Sequence, residues 1–145
     1  MLYLVKRFVV VMFLVMSLPA LAELSIQQGY VRGLPPGQTT TAAFMRLVNT
    51  GDKDIVITGA ASNGARTAEI HSHKHHHGMM SMEKVDRLVV PANGEFVLAP
   101  GKYHLMLINL TKPLREGDRV QVQLLNGDTE LAGAILPVRS VLNER

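Results

Sequence analysis

The sequence predicts an all-β domain, an antiparallel β-sandwich, and three observations carry that expectation. Turn signals recur at short intervals: Pro35-Pro36-Gly37, Asn49-Thr50-Gly51-Asp52, Asn63-Gly64, Pro91-Ala92-Asn93-Gly94, Pro100-Gly101, Glu116-Gly117-Asp118 and Asn126-Gly127-Asp128. The segments between them are too short for typical helices, and no helical period appears after Glu23. At least one segment alternates with the period of a half-buried strand: Arg119, Gln121 and Gln123 interleave with Val120, Val122 and Leu124.

Taken in order, the strand candidates are residues 26–32, 42–48, 54–58, 66–71, 85–90, 95–98, 103–110, 119–124 and 132–138. Each is bounded by one of the turn clusters, and 132–138 follows Asn126-Gly127, a dipeptide favoured in type I′ hairpin turns. Eight or nine short strands at this spacing are the pattern of a sandwich. Residues 59–65 are weakly patterned, and 72–81, the longest stretch without a strand pattern, is expected to be a loop.

The chain has 145 residues, the length of one domain, with 15 Lys+Arg, 12 Asp+Glu and 47% apolar residues. The first 22 residues distort those totals. Lys6 and Arg7 precede the apolar run 8–16, and Ser17-Leu18-Pro19 leads into Ala20-Leu21-Ala22, a small-residue pattern suited to signal peptidase. Residues 1–22 are therefore expected to be a signal peptide, and 23–145 an exported domain located in the periplasm. Without Lys6 and Arg7 the mature part has 13 cations against 12 anions. That is too neutral for a nucleic-acid or anionic-membrane surface, so neither is expected as a partner, and the mature form is expected to be a monomer away from the membrane.

No Cys is present. This excludes disulfide scaffolds, thiolate nucleophiles, Fe–S clusters, Cys-ligated zinc, the blue-copper site and acylation at an N-terminal Cys. Against that absence stand eight Met and six His, five of the His between His71 and His77. Residues 71–82 read HSHKHHHGMMSM, and 103–107 read YHLML. Alternation along the second segment turns Leu105 and Leu107 to the core and puts His104 and Met106 together on the other face, about 7 Å apart. Thioether selects Cu(I), while imidazole serves copper in either oxidation state as well as zinc and nickel. Mixed His and Met without Cys or an acidic cluster points to copper.

His71, Met82, His104 and Met106 are separated by ten, twenty-one and one residues. This spacing resembles the H(x10)M(x21)HxM motif of the periplasmic copper chaperone family called PCuAC. Further matching segments are TAAFMRLVNTGD from Thr41, AEIH from Ala68, GMMSMEKV from Gly78, VPANGEFVLAPGKYHLML from Val90 and LREGDRVQVQL from Leu114. The resemblance implies a cupredoxin-like β-sandwich holding one Cu(I) through those four residues. It also implies delivery to the copper A centre of cytochrome c oxidase, possibly with a Sco-type protein.

His73, His75, His76 and His77 exceed what the motif requires. They are read as a second, labile site preferring Cu(II), with a solvated loop that buffers zinc or nickel as the equal alternative. A general periplasmic copper buffer or resistance protein would use the same primary site for another destination. An enzyme is not expected: Glu69 is the only nearby carboxylate for a general base, and a copper oxygenase of the His-brace kind would need His where Glu23 begins the mature chain.

Overall fold

A computed structural model describes residues 23–143. The predicted signal peptide lies outside the described residues. Eleven strands follow one another: β1 (Leu24–Gly33), β2 (Thr40–Asn49), β3 (Ile55–Ile57), β4 (Gly59–Ser62), β5 (Ala65–His76), β6 (Met79–Lys84), β7 (Leu88–Val90), β8 (Gly94–Leu98), β9 (Tyr103–Leu110), β10 (Arg119–Asn126) and β11 (Thr129–Ser140). A short 3-10 turn, Val141–Asn143, comes after them. The all-β expectation is borne out.

Nine strands form one sheet in the order β1-β11-β10-β4-β5-β9-β2-β8, with β6 attached to β5, while β3 and β7 pair separately. An added pairing of β1 with β2 closes the sheet on itself, so the sandwich is a flattened barrel. Closure hides the strand edges that an open sheet would leave unpaired. The pairings are antiparallel with one exception, β1 with β11, where Val31 meets Val138 in parallel. Alternation along a strand carries no information on strand direction, so the sequence does not indicate that pairing. It is reached through an irregularity between Gln27 and Tyr30, with Gln28 at a φ of 51°, after which β1 takes β11 as a further neighbour.

The core is built from the inward residues of this closed sheet: Val31, Ala43, Leu47, Leu105, Leu107, Val122 and Leu124 are each fully buried. β9 lies between β5 and β2, where Leu105 is opposite Ile70 on one side and Ala43 on the other. Met45 is buried in the same core, which takes it out of any surface site.

Two local expectations are corrected. Residues 72–81 are not a loop: β5 runs to His76, β6 starts at Met79, and His77 and Gly78, at φ values of 49° and 77°, make a two-residue turn of the I′ kind. The hairpin leaves no strand signal in the sequence because its alternation lies in donor chemistry rather than in hydrophobicity. Every residue of β6 is exposed, including its three Met, so no apolar stripe marks a buried face. The second correction concerns β10 and β11. Asn126 pairs with Thr129, so the central turn residues are Gly127 and Asp128, one place later than expected. Gly127 has a φ of 57° while Asp128 is not among the residues of positive φ, the signature of a II′ rather than a I′ turn.

Candidate metal centre

Three neighbouring strands, β6, β5 and β9, put all four motif residues on one outer face. Register sets His71 directly opposite His104, and Glu69 opposite Met106. On the other side of β5, Lys84 lies opposite His71 and Met82 opposite His73. Directly opposed residues share a face of the sheet. His71 and His104 therefore face each other, with Met106 diagonal on β9 and Met82 diagonal on β6. Their inward neighbours Ile70, Leu105 and Leu107 anchor the two strands in the core.

The imidazole hydrogen bonds specify which nitrogens remain. His71 Nε2 lies 2.9 Å from Glu69 Oε2, so it donates to the carboxylate and leaves the Nδ1 lone pair unused. His104 Nδ1 donates to the Lys102 carbonyl at 3.3 Å and leaves Nε2 unused. Among the described residues, the buried side-chain nitrogens and oxygens without a hydrogen-bond partner are His71 Nδ1 and His104 Nε2. Buried polar atoms are nearly always paired, so two such acceptors on rings 6.0 Å apart are the arrangement a cation would satisfy.

His104 is 2% exposed although it points away from the main core, because its neighbours cover it. The His73 ring packs 5.0 Å from it, and both line a cavity of about 270 Å³ together with Met82, Met106 and Phe44. Phe44 is buried and carries the Arg32 guanidinium 4.9 Å above its ring. The access side is the hairpin: Met82 is 57% exposed.

Electrostatics favour neutral imidazole here. Burial holds the His104 pKa below the ordinary imidazole value; the Lys102 hydrogen bond opposes this, and His73, His71 and Arg32 add to the lowering. The hydrogen bond from His71 holds the Glu69 carboxyl below its usual value, burial opposes, and Lys84, 3.7 Å from Glu69, adds to the lowering.

A pH dependence of the metal-free fold follows. The unfolded chain takes a proton on His104 at a higher pH than the folded one, so stability rises with pH through the imidazole range. The contribution is complete above the ordinary imidazole value of about 6.5 and is lost as pH falls through the lowered one. Glu69 acts with the same sign, below its ordinary 4.5. Urea unfolding midpoints should fall from pH 7.5 to pH 5, and a midpoint that rises instead would contradict the burial argument.

A family model described as "Putative lipoprotein LpqE-like" matches residues 24–133. The chain belongs to the LpqE-like family. A curated relative, "Putative lipoprotein Lxx21020" of Leifsonia xyli subsp. xyli (strain CTCB07), is 32% identical over 104 residues, 71% of this chain. The chain spans 63% of that relative's length. Among solved structures, Cu(I)-DR1885 from Deinococcus radiodurans is 30% identical, with 90% of this chain and 85% of that one covered and a TM-score of 0.65. The copper-bound PCuAC domain from PmoF2 has the same fold, with a TM-score of 0.66 at 20% identity, over 83% of this chain and 96% of that one. The resemblance to PCuAC proteins is borne out.

Within this LpqE-like domain, the four extra histidines do not converge. His73 and His75 share the outer face of β5, His76 points to the opposite face, and His77 sits in the turn. Among the described residues no group of three His, Cys, Asp or Glu is disposed to hold a metal ion. His73 instead stands over His104, beside the motif residues. Glu69, considered in the sequence only as a candidate general base for an activity that is not expected, engages His71 and Lys84. Its position two residues before His71 on one strand face was the available signal.

Proposed function

We propose that this LpqE-like protein is an exported, periplasmic copper chaperone. It holds Cu(I) through His71 Nδ1, His104 Nε2 and the thioethers of Met82 and Met106, and passes the ion to a copper enzyme. The observation that carries this reading is the pair of buried imidazole nitrogens without protein partners on the opposed residues His71 and His104, with the thioethers of Met82 and Met106 on the same face. Cu(I)-DR1885, a copper-bound protein 30% identical to this chain, supports copper as the cargo. Softness supports the cuprous state, because neutral thioether is a ligand that selects Cu(I).

The same chemistry suits a carrier. Neither thioether nor neutral imidazole grips as thiolate does, so transfer to a sulfur-rich acceptor is downhill. The exposed Met82 is the ligand an incoming thiolate displaces first, while His104 stays buried and keeps the ion in register. The acceptor proposed is the copper A centre of cytochrome c oxidase, directly or through a Sco-type protein. Glu69, the carboxylate that could have served as a general base, is engaged by His71 and Lys84, which supports carriage over catalysis.

Deleting the gene should lower oxidase activity at limiting copper and leave copper tolerance intact. Lost tolerance with normal oxidase activity would reassign the protein to copper buffering. In the protein itself, Glu69→Gln removes the carboxylate that holds the His71 ring. Outer partners of this kind are worth about 10–100-fold in metal affinity. Competition against a Cu(I) chelator should show a loss in that range, and undiminished affinity would mean that His71 is not a ligand.

A further inference from the structure

We propose that His75 and Met80, linked to the inner ligands by His73, form a second Cu(I) site on the outer half of the β5–β6 hairpin. The hairpin's register sets an imidazole opposite a thioether three times: His73 with Met82, His75 with Met80 and His76 with Met79. The two-residue turn at His77 and Gly78 makes His76–Met79 the hydrogen-bonded pair beside it. By alternation, His75–Met80 and His73–Met82 are then non-hydrogen-bonded pairs, whose Cα atoms stand about 4.5 Å apart and whose side chains approach most closely. Opposed side chains at that spacing can clasp one ion between them.

The donor set decides which ion. Zinc and Cu(II) would be served by several imidazoles or carboxylates meeting at a point, and the hairpin divides its four extra histidines between two faces and a turn. One nitrogen facing one sulfur suits a soft ion of low coordination number. Core packing does not explain the outer thioether: Met80 is 60% exposed, on the face it shares with the 57% exposed Met82. Large apolar side chains left together in solvent mark a functional surface more often than an accident of packing.

The outer pair is also placed to serve the inner one. His73 follows His71 on the same face of β5, comes before His75, and packs 5.0 Å from His104. An ion held at His75 and Met80 is thus one side-chain step from His73 and Met82. On the opposite face Lys74 and Glu83 form an ion pair that joins the two strands of the hairpin without reaching the His75 face. The binding claim stands by itself; its role as the entry to the inner site rests on the function proposed above.

Anaerobic titration of the protein with Cu(I), followed by the methionine methyl signals in NMR, tests this. Two equivalents are expected: the first moves the Met82 and Met106 signals, and the second moves Met80. His75→Asn/Met80→Leu should lose the second equivalent and keep the first, while Met106→Leu should lose the first and keep the second. Both outer positions are solvent-exposed, so the fold should survive, which methyl dispersion verifies. Saturation at one equivalent with Met80 unmoved overturns the outer site, as does retention of both equivalents by His75→Asn/Met80→Leu. Movement of Met80 with Met82 and Met106 silent upholds the outer site and refutes the inner one.

Discussion

Replacing Met82 and Met106 together by leucine is expected to abolish tight Cu(I) binding at the inner site while leaving the fold intact. Leucine is close to methionine in volume, and such exchanges usually alter stability by less than about 1.5 kcal/mol. Met82 is exposed and Met106 half-buried, so even that figure is an upper bound here. What disappears is the soft half of the donor set. Two imidazoles remain, and they no longer distinguish Cu(I) from borderline ions. An affinity loss of at least about 100-fold is expected, since a direct ligand should be worth no less than the outer partners that orient ligands. Competition titration against a Cu(I) chelator, read alongside a thermal melt, gives the answer. Unchanged affinity in a folded double variant would refute the thioether assignment.

Leu105→Ala should be the most destabilising single change near the site. Leu105 is fully buried, faces Ile70 and Ala43 across its two neighbouring strands, and stands next to His104 in sequence. Truncating a buried leucine costs about 2–5 kcal/mol in lost transfer energy and residual cavity. For a domain of this size that lowers the melting temperature by roughly 6–25 °C. A drop of under about 3 °C would mean that β9 is held by its hydrogen bonds rather than by its inner face. The consequence for copper is indirect. Loosening β9 frees the His104 and Met106 side chains, so binding should weaken in proportion to the fraction unfolded and recover at lower temperature.

Most strands were legible because period-two patterning reports one buried face, and turn residues mark where each strand must stop. Tyr103–Leu110 illustrates this well: its inward Leu105 and Leu107 and its outward His104 and Met106 are distributed as alternation predicts. The β5–β6 hairpin illustrates the reverse. Both its faces are polar or exposed near the tip, so hydrophobicity carries no period there, and a His77-Gly78 turn lacks the Asn or Asp that advertises a type I′ geometry. The parallel contact of β1 with β11 was illegible for another reason, since strand direction is set by the path of the whole chain.

Local chemistry is what the sequence determined by itself: which side chains alternate, which donors are soft, and that no thiol competes with them. The tertiary structure decided what those donors can do. A carboxylate two residues before His71 and a backbone carbonyl two residues before His104 fix the two tautomers, which leaves one buried, unpartnered nitrogen on each ring. Cross-strand register, set by the packing of Ile70 and Leu105 in the core, brings residues more than thirty positions apart onto one face and separates histidines adjacent in sequence. A ligand set depends on distances between strands, and those distances come from the packed core rather than from spacing along the chain.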